Sequence, residues 1–117
     1  MEGIGRRHQG TVAILDLVGR YTMNGWEGAV LETIVGLWQQ GDRKFLLNLA
    51  HRPFIFSMDL GDMVRAYRYV MDRGGGFGLF NVHPQVRDLL QTCNLLGVFV
   101  LFDTEDAGVH GLESQST

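Results

Sequence analysis

The stretch FLLNLAHRPFIFSMDLGDMVRAYR, residues Phe45 to Arg68, organises the rest of the sequence. It begins with an apolar run from Phe45 to Ala50, which is typical of a strand covered on both faces. A short loop and the apolar patch Phe54-Ile55-Phe56 follow, and from Ser57 onward the apolar residues recur at helical spacing. The stretch therefore predicts a strand, a loop and a helix from about Met58 to Arg73, with Ser57 at the N-terminus of that helix.

The remaining sequence repeats this alternation of strands and helices. Runs rich in leucine and β-branched residues predict strands, and apolar residues three and four positions apart predict helices. The predicted strands are Ile4–His8, as a short edge strand, Thr11–Val18, Gly76–Val82 and Val98–Phe102; the predicted helices are Asn24–Gln40 with Asn24 as N-cap, one opened by His83-Pro84, and Glu105–Leu112 capped by Thr104. This order predicts a single α/β domain with a small, mixed, mostly parallel sheet flanked by about four helices. We expect the domain to span residues 1–112 and residues 113–117 to form a disordered tail.

The composition excludes several classes of protein. With 45% hydrophobic and 20% charged residues, the chain has the balance of a folded domain rather than of a disordered one. No apolar run approaches the roughly 20 residues of a membrane span, and MEGIGRRHQG lacks the apolar segment of a signal peptide. We therefore expect a cytoplasmic protein without membrane insertion. A net charge of -3 and scattered Lys and Arg residues indicate no nucleic-acid partner.

Residues that carry catalysis or bind metals form no recognisable constellation in the sequence. The four histidines lie far apart without metal-ligand spacing, so we expect no metal and no cofactor. The glycine cluster from Gly74 to Gly78 ends a helix and enters a strand, which is the reverse of the order in a phosphate-binding loop. Cys93 lies among leucines with no adjacent base, which predicts a small buried side chain rather than a nucleophile. The sequence favours a binding protein over an enzyme.

Three side chains in the predicted core region have two interpretations each. Asp16, inside the first long strand, is either a buried carboxylate or, as we expect, faces solvent at the strand pleat. Phe54 and Phe56 either fill the core, which we expect, or form part of a docking surface.

Ser57 also has two interpretations. As an N-cap, its Oγ accepts a hydrogen bond from the amide of Asp59 or Leu60, an interaction of about 1 kcal/mol. As a phosphoacceptor, it gains nearly two negative charges at a helix terminus that tolerates them. The residues alone favour the N-cap.

Several segments between about Thr11 and Leu112 form a recognisable series in their order and spacing: VAILDLVGRY, WQQG, FLLNLA, FIFSMDLGDMVRAY, RGGGFGLFNV and LLQTCNLLGVF. Together they resemble a STAS domain, the fold of the bacterial anti-sigma factor antagonists. In that family an Asp-Ser-Ser/Thr-Gly-Leu-Gly signature opens the second helix. The Ser after the Asp is phosphorylated by the anti-sigma factor, itself a serine kinase. Unphosphorylated antagonist binds the anti-sigma factor and frees the sigma factor, and phosphorylation releases the antagonist.

The family signature falls on residues 56–61 of this sequence without gaps. The resemblance implies a phosphoacceptor candidate at Ser57 and a partner-binding site formed by Phe56, Ser57, Met58, Asp59, Leu60 and Gly61. Ser57, Leu60 and Gly61 keep the family residue. Phe56 removes the family carboxylate, Met58 replaces the second hydroxyl and Asp59 adds a charge beside the acceptor. We therefore expect that switching by phosphorylation is weakened or lost and that Asp59 acts as a fixed negative charge.

The leading interpretation is a regulatory protein-binding module that docks an anti-sigma factor or serine kinase and so controls sigma-factor-dependent transcription. The alternative is a non-phosphorylated STAS scaffold, or an accessory subunit of a larger signalling or membrane lipid or anion transport complex. A small-molecule binder or an enzyme is the third interpretation, and it lacks a supporting group of residues. A kinase partner distinguishes the first interpretation from the second.

Overall fold

The computed structural model describes residues 4–17, 29–53 and 55–115. Within these ranges strands and helices alternate as the sequence predicts. In chain order the elements are β1 (Gly5–Gln9), β2 (Val12–Asp16), α1 (Ala29–Gln39), β3 (Lys44–Asn48), α2 (Ser57–Asp72), β4 (Gly76–Phe80), α3 (Pro84–Thr92), β5 (Val100–Phe102) and α4 (Glu105–Ser114). None of these helices combines the length and apolar character needed to cross a membrane.

The strands form one mixed sheet whose spatial order is the chain order, β1-β2-β3-β4-β5. β1 pairs antiparallel with β2, and every later pair is parallel. Because α1, α2 and α3 each connect neighbouring parallel strands, right-handed crossovers place all three on one face of the sheet. The predicted α/β fold with a mixed, mostly parallel sheet is confirmed.

The face beneath α1, α2 and α3 carries the larger core. Its strand residues occupy alternate positions, as the period of two requires, and its helical residues follow three- and four-residue steps. These buried members are Ala13, Leu15, Phe45, Leu47, Phe77 and Leu79 from the strands and Val30, Ile34, Leu37, Leu60, Met63, Ala66, Val70, Val86 and Leu90 from the helices.

The opposite face carries a smaller core covered by α4. The buried side chains of this core are Val12, Ile14, Leu46, Phe80, Val109 and Leu112. The helix lies close to the sheet, because a Cβ added at Gly108 would lie 2.7 Å from Leu46 Cδ2. Because helices cover both faces of the sheet, side chains on both sides of β3 are buried. This is why the sequence of β3 is a continuous apolar run.

Several predicted strand bounds differ from the observed ones. β1 runs from Gly5 to Gln9 rather than from Ile4 to His8, β3 ends at Asn48 rather than Ala50, and β5 begins at Val100 rather than Val98. β4 stops at Phe80 rather than Val82, because Asn81 has a φ of 58° and turns the chain out of the extended conformation. β2 stops at Asp16. Val18, the predicted end of that strand, and Asn24, the predicted N-cap of the next helix, lie outside the described residues.

The last helix is longer than the sequence predicts. It ends at Ser114 rather than Leu112, so Glu113 and Ser114, which we expected in the tail, are helical. Glu113 is held in place because one of its carboxylate oxygens accepts from the backbone amide and the hydroxyl of Thr11, at 2.8 and 2.9 Å. This contact joins the end of the helix to the β1–β2 turn.

Two predictions of burial are wrong. Cys93 is exposed, because α3 ends at Thr92 and Asn94, with a φ of 60°, turns the chain away from the helical path. Phe56 is also exposed, because extended backbone alternates sides and Ile55, its neighbour, is the one that faces the core. Phe54 lies outside the described residues.

Asp16 lies at the carboxyl end of β2 with a fifth of its side chain exposed. It accepts hydrogen bonds from Arg7 Nε at 2.7 Å and from Asn48 Nδ2 at 2.8 Å. The Asp16 side chain is thus partly exposed to solvent, and its carboxylate is also hydrogen-bonded to two neighbouring side chains.

Candidate functional site

The N-terminus of α2 lies at the edge of the sheet where the parallel strands end. Each of the helices α1, α2 and α3 follows the carboxyl end of a strand, so their N-termini share this edge. Residues 56–61, the predicted binding site, form the first turn of α2 and its entry.

The helix begins one residue earlier than predicted. Phe56 is the N-cap residue, with a φ of -81° and a ψ of 161°, and its carbonyl accepts the first helical bond from the amide of Leu60 at 3.0 Å. Ser57 is therefore the first helical residue, and the predicted N-cap bond to its Oγ is wrong. Ser57 is exposed.

Apolar side chains flank Ser57 on both sides. Phe56 has an exposed fraction of 37% and Met58 one of 59%, and both count among the large apolar side chains that the fold leaves on the surface. An exposed apolar pair on either side of a hydroxyl is suited to contact with another protein surface.

Asp59 and Leu60 face inward. Leu60 packs in the larger core, and Asp59 is only 1% exposed. Asp59 Oδ2 accepts a hydrogen bond from the amide of Phe56 at 3.2 Å, which satisfies a donor at the start of the helix and places a negative charge near the positive end of the helix dipole. The charge of Asp59 thus acts inside the fold rather than on its surface.

Gly61 is partly exposed, and a Cβ added there would meet Arg65 Nη1 at 3.4 Å but no other described atom within 4 Å beyond its chain neighbours and the backbone of its own helix. The packing of the described residues leaves room for a side chain at this position. The bare backbone of Gly61 therefore faces outward, on the side of the helix one turn beyond Ser57.

Asp62, which the sequence analysis did not single out, is fully buried between α2 and α1. Its Oδ2 accepts from the amide of Val30 at 3.0 Å and its Oδ1 from the amide of Leu31 at 3.2 Å. Burial raises the pKa of Asp62 above its ordinary value, although these two amides and the charge of Arg65 oppose the rise. An acidic residue between Leu60 and Met63, within the apolar stripe of the helix, was the signal that could have revealed it.

A short chain of polar side chains continues along the same edge of the sheet. Asn81 Nδ2 donates to Asn48 Oδ1 at 3.1 Å, and Asn48 in turn donates to Asp16. His83 occupies the N-cap position of α3, and its Nε2 lies 2.7 Å from the carbonyl oxygen of Ala50. His83, which the sequence placed at the opening of this helix, thus connects the loops that follow β3 and β4.

An open cleft of about 360 Å³ lies beside this chain, lined by Ala50, Asn81, Val82, His83 and Pro84. Among the described residues, no group of three His, Cys, Asp or Glu side chains is placed to hold a metal ion. The most distinctive feature of this edge is therefore the first turn of α2, with Ser57 between two exposed apolar side chains.

A mixed five-stranded sheet with crossover helices on one face and a terminal helix on the other, and with an exposed serine opening α2, is the architecture of a STAS domain. The STAS domain family model matches residues 7–108, so the chain belongs to the STAS domain family.

Solved structures of anti-sigma factor antagonists share this fold. An anti-sigma-factor antagonist (STAS) domain protein from Planctomyces limnophilus has a TM-score of 0.82 and 19% identity, over 95% of this chain and 98% of its own. The antagonist SpoIIAA in its unphosphorylated form has a TM-score of 0.72 and 18% identity, over 98% of this chain and 100% of its own. SpoIIAA from Bacillus in its phosphorylated form has a TM-score of 0.69 and 18% identity, over 93% and 98% of the two chains. No curated protein sequence matches the chain.

Proposed function

We propose that this protein is a non-catalytic regulatory module that docks an anti-sigma factor through the N-terminus of α2. The proposed setting is the bacterial cytoplasm, where release of a sigma factor changes transcription. The fold likeness to antagonists and the STAS family membership support the class of function. The exposure of Phe56, Ser57 and Met58 supports the place of docking.

The observation that carries this proposal is the apolar pair around Ser57. Phe56 and Met58 stand where the family has an acidic residue and a second hydroxyl, so the partner surface opposite them is apolar rather than cationic. Apolar side chains at the centre of an interface contribute much of the binding energy. We therefore propose that Phe56 and Met58 are the anchors of docking and that Ser57 lies between them within the interface.

Met58→Asp tests the proposal, with Met71→Asp as its control. Both methionines lie on α2 and are exposed, but Met71 stands at the far end of the helix. In titration calorimetry with a purified anti-sigma factor from the same organism, we expect Met58→Asp to weaken binding at least tenfold and Met71→Asp to change it less than threefold. Equal effects of the two substitutions, or no binding by the wild type, would contradict the proposal.

The same first turn supports a second candidate function. Because the acidic residue and the second hydroxyl of the family signature are absent, a permanent apolar contact suits a scaffold or accessory subunit of a signalling or membrane lipid or anion transport complex. The discriminating observation is the partner that copurifies with the tagged protein. A serine kinase supports the antagonist, and a transport component supports the scaffold.

A further inference from the structure

Two buried aspartates lie one turn apart near the start of α2, and each accepts hydrogen bonds from backbone amides. Asp59 accepts from the amide of Phe56 at the start of its own helix. Asp62 accepts from the amides of Val30 and Leu31 in α1. Asp62 thus connects α2 to the neighbouring helix α1.

The amides that Asp62 binds donate to an acceptor outside their own helix. Val30 and Leu31 lie at the beginning of the described part of α1, and each donates to one oxygen of the Asp62 side chain. Asp62 therefore holds this part of the α1 backbone from a position on α2.

A buried carboxylate is an expensive way to join two helices, because an apolar side chain at the same position avoids the loss of hydration. What the carboxylate supplies is a defined geometry, since two hydrogen bonds at 3.0 and 3.2 Å fix the backbone of α1 at Val30 and Leu31 relative to α2. Apolar contacts alone allow the two helices to slide more freely.

The position of Asp62 relates this connection to the proposed docking site. Asp62 lies five residues after Ser57 in α2, which is roughly 7–8 Å along the helix axis. We propose that Asp62 is a positioning residue, which holds the Val30–Leu31 segment of α1 against α2 and so fixes the first turn of α2, with Ser57, in one rigid orientation for docking. The docking part of this inference rests on the proposed function, and the connection between the helices does not.

Amide hydrogen exchange measured by NMR tests the connection without any partner. Asp62→Asn keeps the shape of the side chain but replaces one of its two acceptor oxygens with an NH2 group, so one of the two amides faces a donor where the wild type offers an acceptor. We expect the exchange of the Val30 or Leu31 amide to accelerate at least tenfold relative to β3 amides, which report global unfolding. Asp72→Asn, an exposed change on the same helix, is the control and leaves both rates unchanged. If both amides in Asp62→Asn change no more than the β3 amides do, the connection is refuted.

Binding to the anti-sigma factor tests the positioning role. We expect affinity to fall in the order wild type, Asp62→Asn, Asp62→Ala, with the Ala variant at least tenfold weaker, because the Asn variant retains one of the two bonds. Met63→Ala, which removes a fully buried neighbour, serves as the control for a general loss of stability and changes affinity less than threefold while the protein remains folded.

The outcomes of these two measurements are separable. A wild-type protein that does not bind the anti-sigma factor removes the proposed function, while the exchange rates still decide whether Asp62 connects the helices. If exchange accelerates in Asp62→Asn but the affinities of all variants are equal, Asp62 connects the helices without shaping the docking surface, and the positioning role is overturned.

Discussion

The guanidinium of Arg7 in β1 donates to both carboxylate oxygens of Glu105 at the start of α4, at 2.7 and 2.8 Å. The same guanidinium donates to both oxygens of Asp16 in β2, at 2.7 and 3.1 Å. One side chain on the edge strand therefore joins the sheet to the helix that covers its smaller core. Fork-shaped contacts of this kind are the stronger form of ion pair, even at a partly exposed position.

Replacing Arg7 with Ala should lower the free energy of unfolding by about 1 kcal/mol, a value kept small because these groups are partly exposed. Arg6→Ala, an exposed neighbour on the same strand, is the matched control and should change stability by less than about 0.5 kcal/mol. Urea denaturation followed by circular dichroism measures both values. If the two substitutions lower the free energy of unfolding equally, the effect comes from removing a positive charge from β1 and not from breaking the contacts of Arg7.

The stabilisation from Arg7 should also depend on pH. Burial raises the pKa of Asp16, but hydrogen bonds from Arg7 and Asn48 outweigh it and leave the pKa below its ordinary value; the hydrogen bond from Arg7 likewise lowers the pKa of Glu105. Stabilisation by carboxylates with lowered pKa values is present above their ordinary values of 3.8 and 4.5 and is lost as the pH falls through the lowered ones. We expect the stability difference between wild type and Arg7→Ala to be constant from pH 7 to pH 5 and to shrink toward pH 3. A difference that grows on acidification would refute this account.

Asp62 should show the opposite dependence on pH. Burial raises its pKa in the folded state, with Asp59 adding to the rise and Arg65 opposing it; Glu32, the one charged residue of α1 as described, is exposed. The stability linked to a raised carboxyl pKa is fully present below the ordinary value of 3.8 and is lost as the pH rises through the raised pKa. Wild type should therefore lose stability relative to Asp62→Asn as the pH rises above about 4. Denaturation of both proteins from pH 3.5 to pH 7 measures their free energies of unfolding. If the stability of the wild type rises relative to that of Asp62→Asn as the pH rises, this account is contradicted.

Phosphorylation of Ser57 should be absent or slow in this protein. The amide of Phe56 already donates a hydrogen bond to Asp59, so it is not available to a phosphate. Asp59 also places a negative charge two residues from Ser57, which would repel a phosphoryl group there. With a cognate serine kinase and ATP, we expect mass spectrometry to find little phosphate on wild-type Ser57 and more on Asp59→Gly, which restores the family residue. Circular dichroism checks that the glycine variant remains folded. Stoichiometric phosphate on the wild-type serine would overturn the prediction.

The glycine pair that ends α2 should tolerate substitution poorly at its second member. A Cβ at Gly75 would lie 2.5 Å from the carbonyl oxygen of Arg43, 2.7 Å from Val70 Cγ1 and 2.8 Å from Trp38 Cζ3. Gly75→Ala should therefore lower the free energy of unfolding by roughly 1–3 kcal/mol.

Gly36→Ala is the matched control, because a Cβ there would meet no described atom within 4 Å beyond its chain neighbours and the backbone of its own helix, and the residue lies inside α1. This change should raise stability by about 0.5–1 kcal/mol, since alanine favours the helix. Thermal unfolding of the two variants measures both effects, and a stable Gly75→Ala would show that the chain can move away from the added methyl group.

Much of the fold was predictable because its signals are local. The apolar run from Phe45 and the helical spacing after Ser57 arise from burial on one or two faces, and each leaves its period in the sequence. Gly41, with a φ of 111°, turns the chain out of α1, which is the usual role of a glycine directly after a helix. The first turn of α2 was located by the same reasoning, but its start was misplaced by one residue, because either Phe56 or Ser57 can adopt the extended N-cap conformation.

The sequence by itself determined the order of strands and helices, the mixed parallel sheet and the place of Ser57 at a helix N-terminus, because these follow from periodicity and from the connections that parallel strands allow. Only the tertiary structure decided which side chains of that turn are displayed and which are buried. Phe56 lies outside and Asp59 inside because the docking of α2 on the sheet orients the turn. The contact of Asp62 with α1 joins residues more than thirty positions apart, so no local pattern in the sequence records it.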